Sequence, residues 1–393
     1  MMFNEIELSS VITDIAAGPF GSNLKVSCFV PHGFPIIDGA NLKGFKVTDN
    51  LTKFVTEDKA RSLGRSIARR GDVVVTISGT LGQIAYIPND SMFEEYLCSQ
   101  RQFRVSFDAS RVYVPYLVFY FHTNEGQSKI LAFANQTGVP ALSQPLKNFK
   151  KIRIHLPSYD EQRRIASVIE SINDKIDCSQ KINDNLEQQA KSIYEEMFLN
   201  NPKADMASGT LSDIATITMG QSPSGSSYNE ESVGEVFYQG RAEFGFRFPT
   251  RRLFTTEPKR MAEPGDVLLS VRAPVGDLNV AYEKCCIGRG LGAIHSKTGD
   301  NSFMLYTMFA LKPQLDIFNG EGTVFGSINR DGLSNLPVNI PSAEEIAKFE
   351  AVVRPMDNLI RTNYEEICRL QSIRDSLLPK LMSGEIDVSG IQL

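Results

Sequence analysis

Two long stretches of the chain carry apolar residues at heptad spacing. Eight of the ten seam positions between residues 165 and 197 are apolar, and so are eight of the ten between 349 and 381. A pattern sustained over about four heptads predicts a long amphipathic helix of coiled-coil type. The seam also holds polar residues, among them Asn183 and Asn363, and such residues can fix helix register at some cost in stability.

Start and stop signals bound both predicted helices. Each begins with the same device, a serine followed three residues later by a glutamate, at Ser158 and at Ser342. This capping box satisfies orphan amide groups of the first turn. The first helix should end at Asn200–Pro202 and the second at Ser383–Gly384. Pro355, deep in the second helix, is expected to kink it or to split off its first turns.

Upstream of each helix lies a region of short apolar runs separated by glycine-rich turns, which predicts strands. The two regions resemble each other. The segment 152–158 matches 336–342 at an offset of 184, Gly71-Asp72-Val73 matches Gly265-Asp266-Val267 at 194, and the Gly18 region matches Gly220 at 202. A changing offset between fixed anchors indicates an internal duplication whose copies share a scaffold and differ in their loops.

The equal length and register of the two helices favour their packing on each other. An antiparallel pair would place the strand-rich modules at opposite ends of a rod, related by an approximate two-fold axis. Burial of each helix on its own module, or pairing between two copies of the chain, are the alternatives. We expect an α+β protein with domain boundaries at 1–156, 157–200, 201–340 and 341–393.

Charge is distributed unevenly over these segments. The chain has 393 residues and a net charge of −5, but residues 1–156 carry +4, and most of the acid excess lies in the two helices, with −4 in 157–200 and −3 in 341–393. Residues 201–340 carry −2, so the net charge of the chain remains compatible with a polyanionic partner for the modules. The first ten residues lack the basic and apolar runs of a signal peptide, and no apolar stretch reaches the roughly 18 residues of a membrane span, so a cytoplasmic protein without membrane contact is expected.

Motifs of catalysis are missing from the sequence. The four histidines lack metal-ligand spacing, the six cysteines contain no CxxC pair, and there is neither a phosphate loop nor a Gly-x-Ser-x-Gly elbow. The run Gly288–Gly292 lacks GxGxxG spacing and is interpreted as an ordinary turn. This pattern favours a binding protein that holds no metal and no cofactor of its own.

Basic clusters indicate what is bound. Arg61, Arg65 and Arg69 repeat every four residues and would share one face if the segment is helical, although cations near a helix end can simply complement its dipole. Lysine and arginine on phosphates anchor DNA, whereas guanine contacts need arginines at base edges, for which Arg101, Arg104, Arg272 and Arg289 are candidates unless they form surface ion pairs. The predicted DNA-binding residues are Lys43, Lys46, Arg61, Arg65, Arg69, Arg101, Arg104, Arg241, Arg247, Arg251, Arg252, Lys259, Arg272 and Arg289.

Three segments carry a family resemblance. TGVP at 137–140 together with LPSYDEQRRIA at 156–166 resembles the junction between a target recognition domain and the conserved helix in type I restriction-modification specificity subunits. LLPKLMSGEI at 377–386 is similar to the end of the second conserved helix of that family. The resemblance spans essentially the whole chain.

The resemblance implies a non-catalytic subunit with two recognition domains, each reading one half of a bipartite, asymmetric double-stranded DNA target. It implies that the helices space these domains and dock two modification subunits, which bind S-adenosylmethionine and methylate adenine N6. Restriction subunits would join them, and ATP and Mg²⁺ would act in the partner subunits. The alternative is a duplicated coiled-coil scaffold that assembles proteins without touching DNA.

Overall fold

The computed structural model describes residues 4–135, 140–200, 206–319 and 326–391. Its contacts divide the chain into two compact units. Unit 1 comprises Met1–Asp177 and Ile367–Leu393, and unit 2 comprises Cys178–Glu366. Of the TGVP segment named above, Thr137, Gly138 and Val139 lie outside the described residues, as do Asn201 and Pro202.

Unit 1 contains thirteen strands within its described residues and four short helices before the first long helix. The strands are β1 (Asn4–Glu7), β2 (Ile12–Ala17), β3 (Phe29–Val30), β4 (Phe34–Ile37), β5 (Phe54–Val55), β6 (Ile67–Arg69), β7 (Val73–Thr76), β8 (Ile84–Tyr86), β9 (Glu95–Cys98), β10 (Gln102–Phe107), β11 (Ala134–Asn135), β12 (Ala141–Leu142) and β13 (Arg153–Leu156). The helices are α1 (Glu57–Ser62), α2 (Val114–Phe121), α3 (Asn124–Leu131), α4 (Pro145–Lys150) and the long α5 (Tyr159–Glu195).

Unit 2 repeats this plan with eleven strands in its described part. The strands are β14 (Ala207–Thr210), β15 (Ala215–Met219), β16 (Tyr228–Asn229), β17 (Glu235–Tyr238), β18 (Leu253–Thr255), β19 (Met261–Ala262), β20 (Val267–Ser270), β21 (Leu278–Val280), β22 (Cys285–Ile287), β23 (Leu291–Ser296) and β24 (Pro337–Ile340). The helices are α6 (Leu211–Ile214), α7 (Asn301–Ala310), α8 (Lys312–Asp316), α9 (Arg330–Ser334) and the long α10 (Ala343–Met382).

The sheets of the two units have matching strand orders. A four-stranded sheet runs β2-β10-β7-β8 in unit 1 and β15-β23-β20-β21 in unit 2, and five-stranded sheets run β3-β5-β4-β9-β6 and β16-β18-β17-β22-β19. In both, the first strand pairs antiparallel with the strand that precedes the long helix, β1 with β13 and β14 with β24. The duplication indicated by the sequence is therefore present in the strand pairing.

The Gly-Asp-Val segments show how sequence sets this scaffold. Gly71 and Gly265 adopt φ of 86° and 91°, a left-handed conformation that glycine reaches without steric cost, directly before β7 and β20. All four residues of β7 and of β20 are buried, as expected for apolar strands covered on both faces. Each four-stranded sheet packs against its own helices in one hydrophobic core.

Both long helices begin and end near their predicted bounds. Ser158 Oγ accepts the amide of Glu161, and Ser342 Oγ accepts that of Glu345. α5 is followed by a π-helical turn at Glu196–Asn200, and α10 ends before Gly384, whose φ is 75°. α10 is an unbroken α-helix through Pro355, so the prediction that this proline splits off the first turns is wrong.

Each unit holds one part of each long helix, and the two parts contact each other there. In unit 1, Ile165 and Ile169 share a core with Leu378 and Leu381. In unit 2, Asn363 donates to Asn183 Oδ1 at 2.8 Å, and the Tyr194 ring lies 5.7 Å from that of Phe349. These residues of the predicted seam therefore contact the other helix within each unit. Among the described residues, no helix is both long enough and apolar enough to span a membrane.

Candidate nucleic-acid interface

Each unit has a cleft beside a strand of its four-stranded sheet. In unit 1 the cleft lies beside the loop that leads into β10, and in unit 2 beside the loop that leads into β23. The unit 1 cleft has a volume of about 710 Å³ and is lined by the end of β7, the turn after it and the loop between β9 and β10. Its polar wall comprises Lys53, Ser78, Gln83, Gln100 and Arg101. The cleft is therefore rich in hydrogen-bonding groups, with one apolar side formed by residues such as Val26.

Several of the side chains in the unit 1 cleft are already held by the protein. Gln83 Nε2 donates to the carbonyl of Gly39 at 3.1 Å, and Lys53 pairs with Asp38 at 2.6 Å. Gln100 Nε2 donates to the carbonyl of Leu24 at 2.6 Å. Arg101 is exposed, and no carboxylate of the described residues lies within 4.0 Å of its guanidinium. Arg101 therefore offers this cleft a positive charge that no carboxylate of the described residues pairs with.

The unit 2 cleft has a volume of about 680 Å³ and a different lining. Arg272 follows β20 and Arg289 precedes β23, and both line the cleft together with Ser327 and Asn329. Both arginines are exposed, and neither has a carboxylate of the described chain within ion-pair distance. Two unpaired guanidiniums in one concave surface create a local positive potential that suits a polyanion.

Close backbone contact fixes the loop beside each cleft. The amide of Gly18 donates to the carbonyl of Gln102 at 2.8 Å, and the amide of Gly220 donates to that of Leu291 at 2.9 Å. A Cβ atom on Gly18 would overlap the carbonyl oxygen of Ser99, and one on Gly220 would overlap that of Gly288. Glycine is therefore required where these strands approach the cleft loops.

The predicted DNA-binding residues fall into four groups. Three line the clefts, namely Arg101, Arg272 and Arg289. Three more are exposed and have no carboxylate of the described residues within 4.0 Å, namely Lys43, Arg65 and Lys259. Six form ion pairs at least partly exposed to solvent, namely Lys46, Arg61, Arg69, Arg241, Arg251 and Arg252. Two are buried, namely Arg104 and Arg247.

Burial corrects the prediction for Arg104 and Arg247. Arg104 Nη2 pairs with Asp14 at 2.6 Å and its Nε donates to the carbonyl of Arg65, so that its side chain is only 7% exposed. The hydrogen bond from Arg104 lowers the pKa of Asp14. Arg247 is enclosed by Glu187 and Asp357. Neither guanidinium has a free face for DNA.

The helical spacing of Arg61, Arg65 and Arg69 is a second correction. Helix α1 ends at Ser62, Gly64–Ser66 forms a 3₁₀ turn, and Arg69 lies in β6. The three arginines therefore do not stack on one helix face. Arg61 and Arg69 instead converge on Glu95, at 2.5 Å and 3.0 Å. A strand after the turn competes with helix formation because Ile67 and Ala68 are buried in the five-stranded sheet.

Sequence reasoning missed Ser78, Gln83, Gln100 and Asn329 as cleft residues. The polar loop Ser99–Arg101 lies between β9 and β10, at the place that Gly288–Gly290 holds between β22 and β23. Aligning these loops would have revealed Gln100, but the second was interpreted as an ordinary turn. Among the residues that the structure describes, no three histidine, cysteine or acidic side chains gather closely enough to hold a metal ion.

Comparison with known proteins defines the class. The family model described as type I restriction modification DNA specificity domain matches residues 34–188 and again 203–369. The two matches cover most of the chain, so the chain belongs to this family, and its role is DNA sequence specificity in type I restriction-modification.

Individual relatives agree with this assignment. A protein described as the type I restriction enzyme MjaX specificity subunit of Methanocaldococcus jannaschii is 30% identical over 292 residues, covering 70% of this chain and 68% of that protein. The MjaIX specificity subunit of the same organism is 22% identical over 366 residues, covering 85% and 82%. The crystal structure of a type I restriction-modification S subunit from M. genitalium matches with a TM-score of 0.56 at 16% identity over 96% of both chains, which shows a common fold.

Proposed function

We propose that unit 1 and unit 2 each read one half of a bipartite, asymmetric site in double-stranded DNA. One observation carries this proposal: the two units share strand order and pairing but line their clefts differently. Because the two units share one scaffold, both clefts would face the DNA in the same way. The different side chains that line them would select different bases. Two different half-sites follow from two different linings.

The long helices are proposed to set the distance between the half-sites. α5 has 37 residues and α10 has 40, which correspond to about 55 and 60 Å at roughly 1.5 Å per residue. Asn173 of α5 accepts a hydrogen bond from Arg374 of α10 at 3.2 Å, and Asn183, further along α5, contacts Asn363, which lies earlier in α10. The residue numbers on the two helices therefore run in opposite directions. This supports an antiparallel coiled coil with an approximate two-fold axis.

Catalysis is proposed to reside in partner subunits. Two modification subunits would dock on the helices and methylate DNA with S-adenosylmethionine, and restriction subunits would join with ATP and Mg²⁺. This chain would then contribute recognition alone, without a cofactor, through domains at 1–156 and 201–340 and helical segments at 157–200 and 341–393. The clefts support this division because they offer hydrogen-bond donors and cations for binding DNA.

Methylome sequencing of the host with and without this gene tests the proposal. Deletion should remove methylation from one motif made of two unlike half-sites at a fixed gap. An unchanged methylome would favour the scaffold without DNA binding, and loss of a continuous palindromic motif would contradict the two-reader arrangement. Methylation of DNA by the purified chain alone would overturn the assignment of catalysis to partners.

A further inference from the structure

Strand pairing identifies which residues of the two clefts correspond. In the five-stranded sheets, Ile37 pairs with Cys98 in parallel, and Tyr238 pairs with Ile287 in parallel. Gln100 follows Cys98 by two residues in unit 1, and Arg289 follows Ile287 by two residues in unit 2. On the far side of the loop, Phe103 pairs with Val75 and Gly292 pairs with Leu269. The loops have equal length, so Gln100 and Arg289 occupy equivalent positions.

A second pair of equivalent positions lies across the cleft. Ser78 forms an isolated antiparallel bridge with Ala141, and Arg272 forms one with Ser327. The preceding residue in each unit donates its amide to the loop, Ile77 to the carbonyl of Arg101 at 2.6 Å and Val271 to that of Gly290 at 3.0 Å. Ser78 in unit 1 therefore corresponds to Arg272 in unit 2.

Among the described residues, Arg272 and Arg289 have no acidic partner, in contrast to Arg241 and Arg251. Arg241 pairs with Asp277, and Arg251 with Glu283. Within the part of the chain that the structure describes, the guanidinium donors of Arg272 and Arg289 have no hydrogen-bond partner. The backbone amide of Arg289 is held by Ser222 Oγ at 3.2 Å, so the loop is anchored while its side chain is exposed. A side chain that is exposed on an anchored backbone is suited to form hydrogen bonds with the edge of a base.

Gln100 presents the opposite hydrogen-bonding character. Its Nε2 group is occupied by the carbonyls of Gly21 at 3.2 Å and Leu24 at 2.6 Å. The remaining Oε1 atom can only accept. The major-groove edge of guanine offers N7 and O6, which are both acceptors, whereas adenine and cytosine offer an amino group. An acceptor at this position disfavours guanine.

We propose that Arg272 and Arg289 read guanines in the half-site of unit 2, and that Gln100 selects an amino-bearing base, adenine or cytosine, at the equivalent place in the half-site of unit 1. The inference rests on the proposed function and adds the base chemistry. Arginine can donate two parallel hydrogen bonds to guanine O6 and N7, which lysine cannot reproduce with the same geometry. Position in the cleft and free donors together assign this role to the two arginines.

The test uses this chain assembled with its modification subunits and a DNA library with both half-sites randomised. Arg289→Ala should abolish guanine preference at one position of one half-site, with about 5- to 150-fold loss of discrimination, and leave the other half-site unchanged. Arg272→Ala should act at a different position of the same half-site. Gln100→Ala should alter only the other half-site. Arg153→Ala, an exposed residue on β13 paired with Glu5, is the matched control and should change neither.

Two refinements separate base reading from phosphate binding. Arg289→Lys keeps the charge, so it should retain general affinity while losing guanine discrimination. Replacing the selected guanine by 7-deazaguanine removes one acceptor and should weaken the unaltered complex but not the Arg289→Ala complex. Equal weakening of all sequences by Arg289→Ala, or absence of guanine from the half-site it alters, would overturn the inference. Failure of the unaltered complex to select any bipartite site would instead overturn the proposed function.

Discussion

Arg247 and Asp357 form an ion pair of 2.7 Å inside unit 2, between the recognition module and the long helix α10. The same guanidinium reaches Glu187 on α5 at 3.0 Å, and its side chain is only 4% exposed. The hydroxyl of Tyr306 accepts from Arg247 and donates to Asp357. One arginine thus ties the recognition module to both helices within unit 2.

Arg247→Met should lower the free energy of unfolding of unit 2 by about 3–5 kcal/mol, because two partly buried carboxylates lose the buried guanidinium that they share. Hydrogen exchange resolved by peptide is the appropriate measurement, since it reports each unit separately and the chain lacks tryptophan. The expected loss of protection lies in residues around Glu187 and Asp357.

Lys46→Met is the matched control, because Gly44-Phe45-Lys46 in unit 1 matches Gly245-Phe246-Arg247 in unit 2. Lys46 pairs with Asp174 at 3.0 Å. The Lys46 side chain is 35% exposed and that of Asp174 is 65% exposed, and ion pairs open to solvent contribute about 0–1 kcal/mol. A loss in unit 1 as large as that in unit 2 would contradict the role of burial.

The Asn183–Asn363 hydrogen bond should specify helix register. Asn363→Leu alone leaves the Asn183 amide buried without a partner and should cost about 1–3 kcal/mol. The double leucine variant should recover that loss but should associate or misalign more readily, as expected when a buried polar pair is replaced in a helical seam. Thermal unfolding by circular dichroism and light scattering measure the two effects. Additive destabilisation in the double variant would be the contrary result.

Glu170 should make stability depend on pH in one direction. Burial raises the pKa of Glu170, although its carboxylate accepts from the Tyr113 hydroxyl at 3.2 Å. The stability associated with its protonated form is present below the unfolded pKa near 4.5 and is lost as pH rises through the folded pKa. Glu170→Gln should therefore melt at a higher temperature than the unaltered protein at pH 7 and at the same temperature near pH 4.

Asp14 should behave in the opposite way and serves as the comparison for Glu170. Its pKa is lowered by the hydrogen bond from Arg104, so its contribution is present above the unfolded pKa and disappears as pH falls through the folded pKa. Asp14→Asn should melt at a lower temperature at pH 7 and converge with the unaltered protein in acid. Parallel pH profiles for the two variants would refute these assignments.

Arg65 should bind phosphate rather than a base. Its guanidinium is exposed outside the unit 1 cleft, without a described carboxylate within 4.0 Å. Arg65→Ala should weaken binding of the assembled complex to all DNA sequences alike and reduce the slope of log affinity against log salt by about 0.9. Fluorescence anisotropy over a salt series measures both. A loss confined to one base position would assign Arg65 to reading instead.

The long-range repeats and the helices could be predicted from the sequence because their signals are periodic. Ile165, Ile169 and Ile176 are buried as the heptads predict, and the polar seam residues Asn183 and Asn363 are buried as well. The turn glycines Gly71 and Gly265 recur before equivalent strands because both positions have a positive φ, which glycine adopts without steric cost. Such features depend on neighbouring residues or on regular spacing, which a single sequence displays.

The division of the arginines could not be predicted in the same way. Arg247 and Arg104 are buried because acids 110 and 90 residues away in sequence meet them. Arg289 is free because the fold brings no described carboxylate to it. Whether an arginine forms an ion pair within the chain therefore depends on tertiary contacts rather than on local composition.

The close approach at Gly18 and Gly220 has a consequence for how new targets can arise. Each glycine holds the backbone of a cleft loop without touching its side chains, so substitutions at Gln100 or Arg289 leave the hydrophobic interior intact. Changes of preference at Arg289, whose side chain has no partner among the described residues, should cost little in folding, and variants with altered targets should persist long enough for selection to act on them.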